Sequence, residues 1–288
     1  MQLLITGSSG YIGSHLTKSL FLDDPFPLTP SSEELDITNW FLVNKYFERH
    51  RPDVVVHLAA QAAVGPSIKN PSIDLDINCN GMINLSRAAA KYGTTKFVYS
   101  STCAVYGDCM FLTETDTLSP KSPYGVSKLA AENYLSLAEI PIKTKLRLSN
   151  VYGYKDNHIV DVLSGCLETK EGPVFFGTGR DTYRDYIHVR DVVNAIKMMI
   201  FKDYPGTYNV CTGVPTNLST LWSMIQEVWC IDGEPVDYKP AREFDAKWAV
   251  PSAEKLQNVC GFKYLYPDMI SGLRQVFYEG KNEKGGNN

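Results

Sequence analysis

Tyr124 and Lys128 form a pair whose side chains and spacing suit acid–base catalysis. They stand four residues apart in a stretch with helical periodicity, so both side chains are expected on one face of a helix. A phenol, with an ordinary pKa of about 10, is a poor base at neutral pH, but a neighbouring ammonium lowers that pKa. The pair therefore suits general acid–base chemistry on a hydroxyl group. Surface Tyr–Lys pairs share this spacing, and Thr102, just past a predicted strand, favours the catalytic interpretation.

Three glycines near the N-terminus form a second candidate site. Gly7, Gly10 and Gly13 follow a predicted strand at 2–6 and open a predicted helix at 11–21. In this context Gly7 permits a tight turn, Gly10 lets a pyrophosphate approach the backbone, and Gly13 lets the helix pack closely against the sheet. The amides and the dipole of the helix N-terminus would face the phosphates. The motif therefore predicts a dinucleotide-binding site.

The segments that must position these residues alternate between strand and helix. Apolar runs of strand length occupy 53–58, 96–100 and 143–148, and helical patterns occupy 74–92 and 122–137. Such alternation implies right-handed crossovers between parallel strands. It predicts an α/β fold with a Rossmann-type, doubly wound parallel sheet.

The second half of the chain is less regular and predicts a smaller C-terminal α/β substrate domain. Glycines and prolines interrupt it at short intervals. We expect the dinucleotide-binding domain to comprise 1–150 and 181–215, and the substrate domain to comprise 151–180 and 216–280. The polar residues 281–288 are expected to form a disordered tail.

Composition excludes several classes of function. The formal net charge of −4 argues against general affinity for nucleic acid, which requires a basic surface. No apolar run approaches the ~20 residues that span a bilayer, and no secretory signal is evident. The seven cysteines form no CxxC pair, and the five histidines show no HxxH or HxxxH spacing. We therefore expect a cytoplasmic protein with reduced thiols, no metal site, no membrane association and no nucleic-acid partner.

Further motifs carry a resemblance that covers nearly the whole chain in order. They are His57-Leu-Ala-Ala60, Asn78, Ser100-Ser-Thr-Cys-Ala-Val-Tyr-Gly107, Tyr124-Gly-Val-Ser-Lys128, Asn150-Val-Tyr-Gly153 and Arg184-Asp-Tyr-Ile-His188. Together with the glycine turn, they resemble the extended short-chain dehydrogenase/reductases, and within these the NAD-dependent epimerase/dehydratase family. The resemblance is greatest to enzymes of nucleotide sugars similar to UDP-glucose 4-epimerases.

The resemblance implies a nicotinamide cofactor and the residues that contact it. Asp36 would contact the adenine, although it could instead mark the start of a helix. The acidic residue that usually binds the 2′-hydroxyl of NAD after the second strand is missing. No Lys or Arg lies between Lys18 and Lys45 to bind the phosphate of NADP, so NAD is favoured and NADP stays open. The implied cofactor contacts are Gly7, Gly10, Tyr11, Ile12, Gly13, Asp36, Ile37, Leu58, Ala59, Ala60, Asn78, Ser100, Tyr124 and Lys128.

The resemblance also implies the roles of the catalytic trio. Thr102 would hydrogen-bond the reacting sugar hydroxyl or relay its proton, and Tyr124 would be the general acid and base. Lys128 would hold the nicotinamide ribose and tune Tyr124.

The resemblance implies a nucleotide sugar as the substrate and favours a UDP-sugar. Thr102 and Asn150 would contact it, and Arg184 and Arg242 would bind its pyrophosphate. Arginine suits that role because its planar donor fork matches phosphate oxygens and keeps its charge. Each arginine could instead form a surface salt bridge.

Two reactions fit the implied site. In a 4-epimerase, Tyr124 would remove the C4 hydroxyl proton while hydride moves to NAD, and the 4-keto sugar would take the hydride back on its opposite face. In an NAD(P)H-dependent 4-keto-sugar reductase, the same trio would deliver one hydride and stop. Residues 59–134 are more similar to the epimerases, whereas the short chain and the abrupt step to Asp36 are more similar to deoxysugar reductases. We favour the epimerase and keep the reductase as the alternative.

Other activities are disfavoured by particular residues. Related 4,6-dehydratases carry acidic residues directly after the catalytic Ser or Thr, and here those positions are Cys103 and Ala104. Cys103 is interpreted as a small packing residue. A non-catalytic dinucleotide sensor would not need the intact trio.

A homodimer is also implied by the resemblance. Family members commonly dimerise through two helices of each subunit, and the matching segments here are 74–92 and 122–137. Both carry apolar residues beyond those that one sheet-facing stripe requires.

Overall fold

The computed structural model describes residues 1–20, 27–62, 64–155, 159–169, 172–232, 236–240 and 246–285. They divide into two compact units. The described residues of the first unit come from Met1–Gly107, Glu114–Leu148 and Val193–Val210, and those of the second from Asp108–Thr113, Ser149–Val192 and Cys211–Asn288. Within the described ranges, no helix has the length and apolar character needed to cross a membrane.

The strands and helices follow one another in the order that the alternating pattern predicts for the first half of the chain. The strands are β1 (Leu3–Thr6), β2 (Val54–His57), β3 (Lys96–Thr102), β4 (Cys109–Met110), β5 (Ile142–Leu148), β6 (Asn150–Tyr152), β7 (Val174–Phe176), β8 (Tyr183–Arg184), β9 (Tyr186–His188), β10 (Gly206–Val210), β11 (Thr216–Asn217), β12 (Asp237–Lys239) and β13 (Trp248–Val250). The α-helices are α1 (Tyr11–Leu20), α2 (Trp40–His50), α3 (Val64–Lys69), α4 (Pro71–Asp74), α5 (Gly81–Lys91), α6 (Pro123–Leu137), α7 (Ile159–Thr169), α8 (Val189–Phe201), α9 (Leu218–Trp229), α10 (Glu254–Cys260) and α11 (Met269–Gly285). A π-helical turn, Leu75–Asn80, joins α4 to α5, and a 3-10 turn, Cys103–Val105, follows β3.

The first unit is built on a five-stranded parallel sheet with the strand order β1–β2–β3–β5–β10. Strands β1 and β2 are buried along their whole length, as expected for strands covered by helices on both faces. On the other edge of β1, Leu28 forms a single parallel bridge with Leu4. After β1 the chain therefore adds Leu28 on one side of this strand and then β2 on the other side. This reversal in the order of strands is typical of a doubly wound sheet. The predicted fold class is confirmed.

The second unit contains shorter strands in small sheets with the orders β11–β8–β13–β4, β12–β7 and β6–β9. Residues 181–192 and 211–215, which the sequence places in the first domain, lie in this unit. The reason is that β8 pairs with β11 and β13, and β9 pairs with β6. Helix α11 continues through 281–285, which were expected to be disordered, and 286–288 lie outside the described residues.

Buried polar groups tie α6 to the sheet of the first unit. Glu132 of α6 and Arg147 of β5 form an ion pair whose side chains are 2% and 5% exposed. Nε and Nη2 of Arg147 donate to the two carboxylate oxygens at 3.0 and 2.8 Å. Ser101 of β3 donates to Oε1 at 2.5 Å, and Arg147 Nη1 donates to the Tyr106 hydroxyl at 2.8 Å. Because buried charges are tolerated only when paired and hydrogen-bonded, these contacts hold β3, β5 and α6 in one arrangement.

Replacement of Glu132 tests this network. Glu132→Gln leaves the Arg147 charge buried without its partner, so we expect the free energy of unfolding to fall by ~3–5 kcal/mol. Chemical denaturation measures the change. The control is Glu139→Gln, which alters an exposed carboxylate just beyond the end of the same helix and should have little effect. Equal effects of the two substitutions would contradict the assignment.

Candidate active site

The turn between β1 and α1 forms a cradle from which side chains are excluded. Gly7 has a positive φ of 72°, and a Cβ atom there would lie 2.5 Å from the backbone nitrogen of Ala59. A Cβ atom on Gly13 would lie 2.1 Å from the carbonyl oxygen of Gly7. Both separations are too short for real side chains, so only glycine fits. Helix α1 begins at Tyr11 and Ile12, and the backbone amides of a helix N-terminus point along the helix axis, so this turn suits the pyrophosphate of a dinucleotide.

The residues that follow β2 lie beside the end of β1. The Leu58 amide donates to the carbonyl of the last β1 residue at 3.1 Å. Ala59 and Ala60 come next and are partly exposed, as a position that lines a ribose requires. Ser100 of β3 is buried and donates to the carbonyl oxygen of His57 at 3.1 Å. These residues therefore lie near one another at the carboxyl edge of the parallel sheet.

Asp36 and Ile37 differ in exposure: the carboxylate of Asp36 is partly exposed, whereas the side chain of Ile37 is buried. Asp36 Oδ1 accepts from the amide and the hydroxyl of Thr38 at 2.9 and 2.7 Å. The N-cap of α2 is Asn39, so Asp36 does not mark the start of that helix. Ile37 is buried, and a Cβ atom on Gly81 would lie 2.7 Å from its side chain. The Ile37 side chain therefore packs against α5, in contrast to the accessible position expected of a cofactor contact.

Asn78 lies in the π-helical turn, where the predicted single helix 74–92 is interrupted. Its amide oxygen accepts from the Gln61 backbone nitrogen at 2.9 Å, and its amide nitrogen donates to the Gln61 carbonyl at 3.0 Å. The same nitrogen donates to Ser127 of α6 at 3.0 Å. Asn78 thereby ties the loop after Ala60 to the residue next to Lys128. Its side chain is occupied by protein groups, so it positions the loop that follows Ala60.

The contact between β3 and the first turn of α6 brings together the three residues of the predicted catalytic trio. Thr102 is the last residue of β3, and its hydroxyl oxygen accepts from the Ala104 amide at 3.2 Å. A Cβ atom on Gly125 would lie 2.8 Å from the Ala104 carbonyl oxygen, so α6 packs directly on the backbone that follows Thr102. This approach places the Tyr124 hydroxyl in a hydrogen bond with Thr102. Lys128 follows one turn later, and its side chain is buried.

The phenol of Tyr124 is held in its protonated form. Burial raises the pKa of Tyr124 to about 12, although the hydrogen bond with Thr102 lowers it. The negative charge of Asp74, at the end of α4, raises the pKa further. Asp74 is fully buried, and neither carboxylate oxygen has a hydrogen-bond partner among the described residues. No sequence motif had singled out Asp74.

Burial acts on Lys128 in the opposite direction. It lowers the pKa of Lys128 from 10.5 to about 7, while the charge of Glu132, one turn further along α6, raises it. The ammonium nitrogen lies 4.4 Å from the centroid of the Tyr99 ring. The expected lowering of the Tyr124 pKa by Lys128 is not found, because the same burial that favours the neutral phenol also favours the neutral amine.

Two of the predicted substrate residues lie in the second unit. Asn150 begins β6, with its side chain exposed, and both its backbone nitrogen and its Nδ2 donate to the carbonyl of Asp185, at 3.1 and 3.0 Å. Arg184 of β8 is partly exposed, and its Nη1 donates to the Tyr183 carbonyl at 3.0 Å. Arg242 lies outside the described residues.

Other chemistry finds little support in the described part of the chain. Cys103 is buried, and its sulfur donates to the Arg147 carbonyl at 3.2 Å, which agrees with a packing role. Among the described residues, no group of three or more His, Cys, Asp and Glu side chains is arranged to hold a metal ion.

Comparison with known proteins places the chain among enzymes of sugar nucleotides. The model of the NAD-dependent epimerase/dehydratase family matches residues 3–211. A UDP-glucose 4-epimerase of Lacticaseibacillus casei is 30% identical, with 93% of each chain covered. The crystal structure of the Thermotoga maritima UDP-glucose 4-epimerase with UDP-glucose is 30% identical, with a TM-score of 0.88 over 99% of this chain and 100% of that one. The Thermus thermophilus UDP-glucose 4-epimerase with NAD is 28% identical, with a TM-score of 0.89 over 98% of this chain and 99% of that one.

The low pKa of Lys128 makes stability depend on pH. Between about pH 7 and pH 9 the lysine stays charged in the unfolded chain, whereas in the folded chain it changes from about half charged to neutral, so unfolding takes up a proton and stability rises with pH. We expect the wild type to gain roughly 2 kcal/mol over this range relative to Lys128→Met. Chemical denaturation at the two pH values measures the difference. Lys18→Met, which removes an exposed lysine of α1, should keep the wild-type slope. A wild-type slope in Lys128→Met would refute the shift.

Proposed function

Since the chain belongs to the NAD-dependent epimerase/dehydratase family, we propose that it is a nucleotide-sugar 4-epimerase that oxidises its substrate transiently at C4. The observation that carries the proposal is the Thr102–Tyr124 hydrogen bond, with Lys128 one turn away, in a chain related over 93% of its length to a UDP-glucose 4-epimerase. The relatives from L. casei, T. maritima and T. thermophilus are all named as epimerases, which favours this reaction over the 4-keto-sugar reductase. A UDP-sugar is accordingly the proposed substrate.

NAD is the proposed cofactor, and the described residues fit it. The cradle at Gly7 and Gly13 suits its pyrophosphate, and the partly exposed Ala59 and Ala60 suit its ribose. The second strand is reduced to the bridge at Leu28, and the chain has no Lys or Arg at 19–44 for the extra phosphate of NADP. When bound, NAD supplies the hydride acceptor for C4 and returns the hydride to the opposite face of the sugar.

The trio handles the proton of the C4 hydroxyl. In its phenolate form Tyr124 would take that proton when the sugar is oxidised, and in its phenol form it would give the proton back when the sugar is reduced. Thr102, which hydrogen-bonds the phenol, is proposed to hold the same sugar hydroxyl. Lys128 is proposed to hold the nicotinamide ribose. The positive charge of the oxidised cofactor would favour the phenolate that burial alone disfavours, and Lys128 would add to this effect in its charged form.

Arg184 is proposed to bind the diphosphate, and we propose in addition that Asn150, implied as a substrate contact, reaches the same group. Arg184 is partly exposed and donates from Nη1 to the backbone, so most of the five N–H groups of its fork can face an anion. Arg242 is carried over from the family resemblance alone and is proposed for the same diphosphate.

The function is tested by conversion of UDP-galactose and UDP-glucose, and of their N-acetyl forms, without added reductant. An epimerase recycles its hydride, so interconversion should proceed with no net loss of NADH or NADPH. Tyr124→Phe removes only the hydroxyl and should lower turnover by ~10²–10⁴ while NAD binding persists. The control is Tyr278→Phe at an exposed tyrosine of α11, which should turn over normally. Stoichiometric consumption of reduced cofactor would establish a reductase instead, and full activity of Tyr124→Phe would exclude its role.

A cytoplasmic homodimer is proposed for the assembly. Helix α6 carries Val126, Tyr134 and Leu137 with 49%, 45% and 80% of their surface exposed, at helical spacing along one side. Leu75, in the π-helical turn that packs against α6, is 49% exposed. The buried free cysteines, such as Cys79, agree with a reducing compartment.

A charge in the α6 stripe tests the dimer. Light scattering of the wild type should give about twice the chain mass of 32.2 kDa, and Leu137→Glu should give one chain mass because an unpaired charge cannot be buried cheaply. Phe41→Glu, at a residue of α2 that is 70% exposed, is the control and should stay dimeric. A wild-type particle of 32.2 kDa would refute the homodimer.

A further inference from the structure

Asp185 connects the elements of the second unit that carry the proposed diphosphate contacts. It stands between β8, which ends at Arg184, and β9. Its amide donates to the carbonyl of Ala249 in β13 at 3.0 Å. Its carbonyl accepts both hydrogen bonds of Asn150, from the backbone nitrogen at 3.1 Å and from Nδ2 at 3.0 Å. One residue thus anchors the backbone of Arg184 and the side chain of Asn150.

The carboxylate of Asp185 is fully buried and surrounded by donors. The Ser149 hydroxyl donates to Oδ1 at 2.5 Å, and the Thr212 hydroxyl donates to Oδ2 at 2.7 Å. The amide of Thr212 lies 3.0 Å from both oxygens, and the amides of Gly213 and Val214 donate to Oδ2 at 2.6 and 3.1 Å. Burial raises the pKa of Asp185, and these hydrogen bonds lower it. The cluster therefore has the donors that an ionised carboxylate needs.

An asparagine would replace this carboxylate only in part. The Thr212 amide lies 3.0 Å from both oxygens, so the NH₂ group of an asparagine would face this N–H group, which cannot accept, in either orientation. The Ser149 hydroxyl would have to turn and accept, and the negative charge that strengthens every hydrogen bond of the cluster would be lost. The substitution would therefore weaken the contacts that hold Ser149 and the 212–214 loop. Ser149 directly precedes Asn150, so this weakening would affect the position of Asn150 without changing its side chain.

We propose that Asp185 is a positioning residue for the diphosphate of the substrate and acts through Asn150 and Arg184. The proposal rests on the proposed function, which assigns the diphosphate to these two residues. The Asp185 carbonyl accepts from Nδ2 of Asn150, and Oδ1 of that amide has no hydrogen-bond partner among the described residues. The amide of Asp185 extends the pairing of β8 with β13. This pairing fixes the backbone of Arg184, and the backbone in turn limits the directions that the Arg184 side chain can take. Because Asp185 itself is fully buried, it would act without contacting the ligand.

Isothermal titration of the full chain with UDP, and separately with NAD, tests the proposal. UDP affinity should fall about tenfold or more in Asp185→Asn, since hydrogen bonds to charged groups are lost from the cluster. NAD affinity should stay unchanged, because the cradle at Gly7 lies in the first unit. Asp191→Asn is the matched control: Asp191 is also fully buried and accepts from two backbone amides, of Leu265 and Tyr266, at 2.6 and 3.2 Å. It should leave UDP affinity unchanged.

A double-mutant cycle separates positioning from general support of the fold. If Asp185 acts through Asn150, Asp185→Asn should cost less UDP affinity in an Asn150→Ala background than in the wild type. A merely structural role would give additive losses, and additivity would overturn the proposal. If Asp185→Asn does not fold, Ser149→Ala removes only the 2.5 Å hydrogen bond and should still weaken UDP binding.

The outcomes distinguish this proposal from the proposed function. Unchanged UDP affinity in Asp185→Asn, or in Ser149→Ala where the former does not fold, overturns the role of Asp185 and leaves the function intact. An equal loss in Asp191→Asn also overturns it. Absence of UDP binding by the wild type removes the assigned substrate class, and with it any diphosphate to position.

Discussion

The buried ion pair of Glu132 and Arg147 is the interaction on which the catalytic geometry depends. Two charges can leave water only if each finds a partner with good geometry, and here the partners come from α6 and β5. Ser101 of β3 joins the same carboxylate. Thr102 is the next residue of that strand, and Lys128 stands one helical turn before Glu132. The requirement to satisfy the pair therefore also fixes the register between the strand and the helix that carry the trio.

Close backbone approach is the second constraint, and it explains where side chains are missing. Gly7 and Gly13 let α1 and the loop after β2 approach the turn, and Gly125 lets α6 rest on the carbonyl of Ala104. Each contact would be blocked by a single Cβ atom. The proposed pyrophosphate cradle and the Thr102–Tyr124 hydrogen bond thus both depend on glycines at points of close packing. These glycines are Gly7 and Gly13 at the cradle and Gly125 at the hydrogen bond.

Both units place a buried carboxylate beside residues proposed to act on the substrate. Glu132 in the first unit and Asp185 in the second accept from several donors on different elements. Asp74 is the contrasting case, since its carboxylate is buried without a hydrogen bond among the described residues and its charge acts on Tyr124. The two carboxylates that accept several hydrogen bonds hold the backbone of neighbouring elements in place. Asp74, which accepts none among the described residues, instead raises the pKa of Tyr124 through its charge.

The sequence by itself determined the features that depend on local order. Alternating strand and helix patterns predicted the parallel sheet, the spacing of the glycines predicted the cradle, and the four-residue spacing predicted that Tyr124 and Lys128 share a helix face. Glu132 continues that spacing and could have been recognised by it. These features follow from periodicity within a few residues, which the chain carries without reference to its fold.

The tertiary structure decided what depends on contacts between distant residues. Burial is the largest cause of the raised pKa of Tyr124 and of the lowered pKa of Lys128. The resemblance implied that Ile37 and Asn78 contact the cofactor. In the structure the Ile37 side chain packs in the core beside Gly81, and the Asn78 side-chain amide is hydrogen-bonded to the backbone of Gln61. Asp185 meets donors from positions far along the chain in either direction, so no local pattern could reveal its partners. Desolvation and long-range hydrogen bonds exist only once the chain has folded, and that is why these assignments needed the structure.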